Sequence, residues 1–310
     1  RFLAALGVCL AVALPARAEE FVTVLTGGTS GVYYPLGVAL TTIYGKAIPD
    51  AKATVQATKA SVENLNLLQA GRGEIAFTLG DSLGDAWKGN EEVGFKQKLG
   101  KLRAISAIYP NFIQVVAAKD SGIKTLADLK GKRVSVGAPK SGTELNARAV
   151  FGAAGLGYGD FAKVEYLPFA ESVDLMKNRQ LDATLISAGL GVAAIKDLAS
   201  SIDVTIVPIP ADVVEKVGDA AYVAETVPAG TYQGQGEAVP TAAVRNYLVT
   251  HSGVSDDVAY AMTKGLFENL DQLVAAHAAA KGIKLDAGAA KGPVPLHPGA
   301  EKFFKEKGLL

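Results

Sequence analysis

Cysteine is almost missing from this chain: Cys9 is the only one in 310 residues. A disulfide framework is therefore excluded, and so is a zinc site built on thiolates. Histidine is nearly as scarce. His251, His277 and His297 are the only three, and none stands beside an acidic or sulfur ligand at metal spacing. Net charge is also lacking. The 31 basic residues balance 31 acidic ones, which removes the basic face that a nucleic-acid partner requires. The one basic cluster, Lys130-Gly131-Lys132-Arg133, reads as a solvated turn before a strand. Motifs of catalysis are incomplete. No Gly-x-Ser-x-Gly elbow occurs, and Gly137-x4-Gly142 is followed by Thr143-Glu144 where a phosphate-binding loop needs lysine. Ser121-Gly122-Ile123-Lys124 has the Ser-x-x-Lys spacing of penicillin-binding enzymes but lacks both partner motifs, so it reads as a surface turn. The glycines of Gly155–Gly159 follow a helical pattern and read as a helix end. No enzyme, no metal and no cofactor is expected from this inventory.

Long apolar runs are confined to the start. Arg1, the run Phe2–Leu14, then Pro15 and Ala16-Arg17-Ala18 have the parts of a secretory signal, with cleavage after Ala18. Lipidation at Cys9 is the competing reading, disfavoured by the bulky Val8 before it. Cleavage at Ala18 removes two arginines, so 29 bases against 31 acids leave the mature chain at −2. No other segment approaches transmembrane length. An exported, periplasmic monomer is the expectation.

What is present is a repeated turn. The alternation Phe21–Thr26 runs into Gly27-Gly28-Thr29-Ser30-Gly31-Val32-Tyr33-Tyr34-Pro35, a strand feeding a glycine-rich turn that opens a helix. Such a helix start offers unpaired N–H groups and the positive end of the dipole to an anion. Val134-Ser135-Val136-Gly137 leads likewise into Ser141-Gly142-Thr143 and a helical pattern from Glu144. The segment from Glu63 to Phe77 is echoed 108 positions later, from Glu171 to Leu185, each reading as loop, amphipathic helix, strand. Two lobes of one βαβ architecture follow, with ligands at the carboxyl ends of the strands. Six loops are implicated: Thr29–Gly31, Lys59–Asn64 and Gly80–Ser82 in one lobe, and Ser141–Thr143, Phe169–Ser172 and Ser187–Gly189 in the other. Ile113–Ala118 and Gly236–Leu248 read as extended crossings, a hinge rather than a tether. The C-terminal stretch Val254–Ala280 reads as one long helix, capped by Ser255.

Within these loops the residues leave choices open. Tyr33 and Tyr34 are pocket wall or core; Asn64 is a ligand contact or a cap. Asp81 receives an ammonium or caps its own helix.

These stretches resemble the TAXI-type solute receptors of tripartite ATP-independent periplasmic (TRAP) transporters. The likeness rests on Gly28–Gly37, Ser61–Asn64, Ala76–Asp81, Leu102–Ile105 with Tyr109-Pro110, Asp128–Gly137, Ser141–Glu144 and Pro295–Glu301. It implies an α/β, two-lobed periplasmic-binding-protein fold of type II, with two hinge crossings and a central cleft. The implied division is 1–18 signal peptide, 19–115 plus 244–310 lobe 1, and 116–243 lobe 2. The implied ligand is a small carboxylate, a glutamate-like amino acid or a 2-oxo or dicarboxylic acid, handed to the membrane subunits of a TRAP transporter. The implied contacts are Thr29, Ser30, Tyr34, Asn64, Asp81, Ser82, Ser141, Gly142, Thr143, Ala188 and Gly189. Lys59-Ala60 and Lys140 depart from the pattern, because small residues or glycines are usual there. The runner-up is the binding protein of an ATP-driven importer; a periplasmic enzyme and an adhesin or structural surface protein are the rivals from other classes.

Overall fold

The computed structural model describes residues 19–310. The expected signal segment, with Cys9, lies outside the described residues. The first part of the chain alternates strand and helix: β1 (Glu20–Leu25), α1 (Tyr33–Ala47), β2 (Ala51–Gln56), α2 (Ser61–Gln69), β3 (Ile75–Leu79) and α3 (Gly80–Lys88). The long strand β4 (Leu102–Ala118) crosses over to a second set. That set comprises β5 (Arg133–Ser135), α4 (Gly142–Ala153), β6 (Lys163–Glu165), α5 (Phe169–Lys177), β7 (Ala183–Ala188), α6 (Ala193–Ser201), β8 (Val204–Val207), α7 (Ala211–Val217) and β9 (Tyr222–Val227). The return strand β10 (Val239–His251) leads to α8 (Asp256–Glu268), α9 (Leu270–Ala276) and α10 (Pro298–Glu306).

The sheet order is β2-β1-β3-β10-β4-β7-β5-β6, with β8 on β4 and β9 on β10. β1 pairs parallel with β2 and β3, and β5 pairs parallel with β6 and β7. Between these two parallel halves run β10 and β4, antiparallel to each other and to the strands flanking them. The two crossings read from the sequence are thus one paired ribbon joining two lobes. The 108-residue echo is structural: α2 at 61–69 and α5 at 169–177 occupy equivalent places after β2 and β6. β3 and β7 are buried along their whole length, as strands covered on both faces must be.

Buried apolar clusters fill both lobes, and the largest runs across them. In the first lobe, Tyr44, Phe303 and Phe304 are fully buried where α1, α8 and α10 meet. In the second lobe, Phe151 packs edge-on to Phe161, with ring centroids 5.4 Å apart. The stretch expected as one long helix is broken. Asn269 leaves helical backbone (φ −127°, ψ 33°) and its side-chain amide donates to the Gly265 carbonyl, so α8 ends and α9 starts at a new angle. Among the described residues no helix is long and apolar enough to cross a membrane.

Gly299 lets α10 seat on α8. A Cβ there would lie 2.1 Å from the Asp256 carbonyl oxygen and 2.6 Å from the Tyr260 nitrogen, both backbone atoms. Gly299→Ala is expected to lower unfolding free energy by about 2 kcal/mol, since overpacked contacts against backbone cannot relax by a rotamer change. Equilibrium urea denaturation measures this, and an unchanged midpoint would mean that the helices separate freely.

Candidate ligand-binding site

Between the lobes lies a cavity of about 120 Å³. One lobe contributes Gly27, Gly28, Gly31–Tyr33, Thr58–Ser61 and Leu79 to its lining. The other contributes Ala138, Ser141–Thr143, Pro168, Phe169, Ser187 and Ala188, and Asn111 of β4 closes the back. Five of the six expected loops contribute directly, and the sixth through the adjoining Leu79.

Four helices begin at this cavity. α1 starts after the turn closed by the Gly31 N–H on the Gly28 carbonyl, 3.0 Å. α2 starts at Ser61, α4 at Gly142 and α5 at Phe169. The first residues of a helix have no intrahelical partner for their N–H groups, so this convergence produces a positive field without a buried cation. Ser141 caps α4: its hydroxyl accepts from the Glu144 N–H at 3.1 Å and donates to the Ala138 carbonyl at 2.6 Å. Ser61 accepts from the Leu79 N–H at 3.1 Å, which fixes the start of α2 against the end of β3. Lys59 is the only lining residue with a cationic side chain, it is solvent-exposed, and no carboxylate lines the cavity.

The departures at Lys59-Ala60 and Lys140 have a backbone meaning. Ala60 has φ +70° and ψ −142°, a region that glycine alone occupies freely, and Lys140 has φ +62°. Strain of this kind costs of order 1–3 kcal/mol per residue and persists only where the surroundings enforce it. The two strained residues bracket the cleft mouth, where the Lys140 carbonyl accepts from the Glu63 N–H of the opposite lobe at 3.2 Å.

Of the expected contacts, Ser141, Gly142, Thr143 and Ala188 line the cavity, while Thr29, Ser30, Tyr34, Asn64, Asp81, Ser82 and Gly189 do not. Thr29 is exposed, and Ser30 and Tyr34 are half-buried on the rim. It is Tyr33 that forms the wall, stacked on Phe77 with centroids 4.9 Å apart. Asn64 is fully buried as a tie: its amide donates to the carbonyls of Thr26 (2.7 Å) and Phe77 (2.9 Å), and its oxygen accepts from Thr58. Gly189 is filled from behind, with Ala279 2.6 Å from where its Cβ would stand.

Asp81, with the adjacent buried Ser82, belongs to an inter-lobe link. Its Oδ2 accepts from Asn146 Nδ2 of α4 and from the Tyr222 hydroxyl of β9, each at 2.7 Å, and its Oδ1 accepts from the Ser82 N–H. Burial pushes the carboxyl up to about 6 against the bonds from Tyr222 and the Ser82 N–H, with Asp219 and Asp85 adding like charge. Its carboxylate is shared between the first turn of its own helix and two donors of the opposite lobe.

Sequence reasoning missed Asn111, Phe169 as a lining ring and the buried chain behind Tyr33. The Tyr33 hydroxyl donates to Asn246, whose amide donates to Asn111 Oδ1 (2.7 Å), whose own amide donates to the Ser187 carbonyl (3.0 Å). The only signal for Asn111 and Asn246 was polarity within two otherwise apolar strands, β4 and β10.

This architecture is that of the two-lobed α/β periplasmic solute-binding proteins. The chain belongs to the NMT1-like family, whose model matches residues 24–308. Solved structures agree in fold. The alkanesulfonate-binding protein SsuA of Xanthomonas axonopodis pv. citri is 15% identical with a TM-score of 0.52, covering 93% of this chain and 85% of its own. A binding-protein component of an ABC phosphonate transporter from Pseudomonas aeruginosa is 12% identical with a TM-score of 0.54, covering 86% and 81%.

The TAXI and TRAP assignment is thereby corrected: the matching family is the NMT1-like one, and the transporter component matched in fold is of ABC type. The stretch Pro295–Glu301 that favoured it has a structural explanation. The Pro295 carbonyl accepts from Ala104 N–H at 2.8 Å, and His297 caps α10 through Nδ1 on the Gly299 N–H. Those residues clasp a helix onto β4 and carry no mark of a transporter class.

Proposed function

We propose that the chain is the extracytoplasmic receptor of an ATP-driven importer, closing its two lobes over a small organic anion and presenting it to membrane permease subunits. The observation that carries this reading is the meeting of four helix N-termini at a cavity with no carboxylate in its lining. Neutral N–H and hydroxyl donors hold an anion there with little desolvation of countercharge. A carboxylate suits this geometry, as does a sulfonate or phosphonate of the kinds named for the fold relatives. Because Asp81 is engaged across the lobes, a purely anionic acid fits better than an amino acid. No nucleophile–base pair accompanies the cavity, so the ligand is expected to be released unchanged. Lobes at 19–115 plus 244–310 and at 116–243, periplasmic residence and cleavage after Ala18 complete the proposal.

Lobe closure supplies the affinity. Ligand shifts the hinge equilibrium by its differential contacts with the closed form. Thr143 offers a hydroxyl with no protein partner at the start of α4, and we expect Thr143→Val to weaken anion binding by about 1–3 kcal/mol. Calorimetric titration with the best anion of a thermal-shift panel measures it. Equal affinities would remove Thr143 from the site. In that panel, saturating anions should stabilise by several kcal/mol; stabilisation by cations or large apolar molecules alone would overturn the receptor-for-anions reading.

A further inference from the structure

One fully buried hydroxyl beside the cavity lacks a hydrogen-bond partner among the described residues. Ser187, at the end of β7, is only 4% exposed, and its hydroxyl oxygen has no hydrogen-bond partner. Its neighbours are otherwise engaged. The Ser187 carbonyl accepts from Asn111, whose oxygen is taken by Asn246, and the Ala188 carbonyl accepts from Gln114. Burying an unpaired hydroxyl is costly, so a polar atom in such a place ordinarily has a counterpart. Ser187 lines the cavity together with the helix starts at Ser61 and Gly142, but it comes from a strand end rather than a helix start. Its hydroxyl both donates and accepts.

We infer that Ser187 is a specificity-determining residue that reads a second polar group on the ligand. This rests on the anion reading above and sharpens it: the ligand is a small bifunctional acid. Its anionic head lies at the helix starts, and a hydroxyl or oxo substituent pairs with Ser187. Discrimination then follows from chemistry. An unsubstituted acid of the same size leaves the hydroxyl unpaired in a closed cavity, whereas the substituted acid satisfies it. Sites built to hydrogen-bond a substituent reject the analogue lacking it far more strongly than apolar pockets reject an added group.

The test uses matched probes on the mature protein and on Ser187→Ala. Titration calorimetry compares 2-hydroxybutyrate and 2-oxobutyrate with butyrate, and 2-hydroxyethanesulfonate with ethanesulfonate, so that carboxylate and sulfonate heads are separated. In the unaltered protein the substituted member of the preferred head class should bind at least tenfold tighter. Ser187→Ala should shrink that gap to about threefold or less, by weakening the substituted acid and relieving the unsubstituted one of an unpaired hydroxyl. Its ligand-free melting temperature should hold or rise, because an unpaired hydroxyl has been removed. Equal binding within each pair, or a gap that survives Ser187→Ala, overturns the inference while the anion reading stands. Failure of every acid to bind sinks the anion reading itself, and this inference with it.

Discussion

Gly142→Val is expected to weaken ligand binding by roughly 100-fold while leaving each lobe folded. Gly142 opens α4 in ordinary helical backbone, so valine imposes no left-handed strain. The obstacle is across the cleft: a Cβ at Gly142 would stand 2.6 Å from both Leu79 Cδ1 and Ser61 Oγ, side chains of the opposite lobe. Those contacts exist only when the lobes meet. Overpacking a closed interface costs about 1–3 kcal/mol, and the branched side chain places this case at the upper end. An energy of that size is roughly 100-fold in affinity. Small-angle scattering at saturating ligand should show the variant remaining expanded where the parent compacts. Parent-like affinity would mean that closure is not what binds ligand.

The second large effect concerns the link at Asp81. Asp81→Ala leaves the buried Tyr222 hydroxyl without its acceptor and takes one of two acceptors from the Asn146 amide, which still donates to the Tyr222 oxygen; Asn146 Oδ1 already lacks a partner among the described residues. Stranding that hydroxyl and weakening the amide is expected to cost about 2 kcal/mol of closure, roughly 30-fold in ligand affinity. The link also makes closure pH-dependent. In the closed form burial raises the carboxyl to about 6; in the open form, exposed to water, it returns toward its ordinary value of 3.8. The closed form therefore holds the proton more tightly. Ionised Asp81 opposes closure above pH 6, and this penalty fades as pH falls from 6 toward 4. Affinity should rise roughly tenfold from pH 7 to pH 5, in proportion to the two protonation constants. Asp81→Asn keeps an acceptor for Tyr222 and cannot titrate, so its affinity should be flat over that range. Taking the ratio of parent to variant cancels any titration of the ligand. A flat ratio would mean that Asp81 is equally buried in both states.

The site was legible where backbone chemistry decides it. Ser141-Gly142-Thr143 and the turn before Tyr33 announce helix starts through their own residue types, and helix starts bind anions whatever surrounds them. The positive φ at Ala60 and Lys140 was not legible in the residues themselves, and only the resemblance placed glycine or small residues there. Asp81 and Asn64 were not legible. Each is polar and near a helix start, and each turned out to be consumed by protein partners elsewhere in the chain: Asn146 and Tyr222 for the one, Thr26 and Phe77 for the other. The transporter class failed for the same reason. Pro295–Glu301 looked distinctive, but the distinction serves the seating of α10.

The sequence by itself determined the alternation of strand and helix, the duplicated lobe and the helix starts. These depend on hydrophobic period and on residues within a few positions of one another. Only the tertiary structure decided which polar side chains face the cavity and which are tied off. It joined the two crossings into one antiparallel ribbon, brought α3 against α4 and β9 through Asp81, and left the fully buried Ser187 hydroxyl beside the cavity without a partner among the described residues. A hydrogen bond across a hundred residues leaves no periodic trace in the chain, so whether a buried polar atom is satisfied is settled only once the lobes have packed.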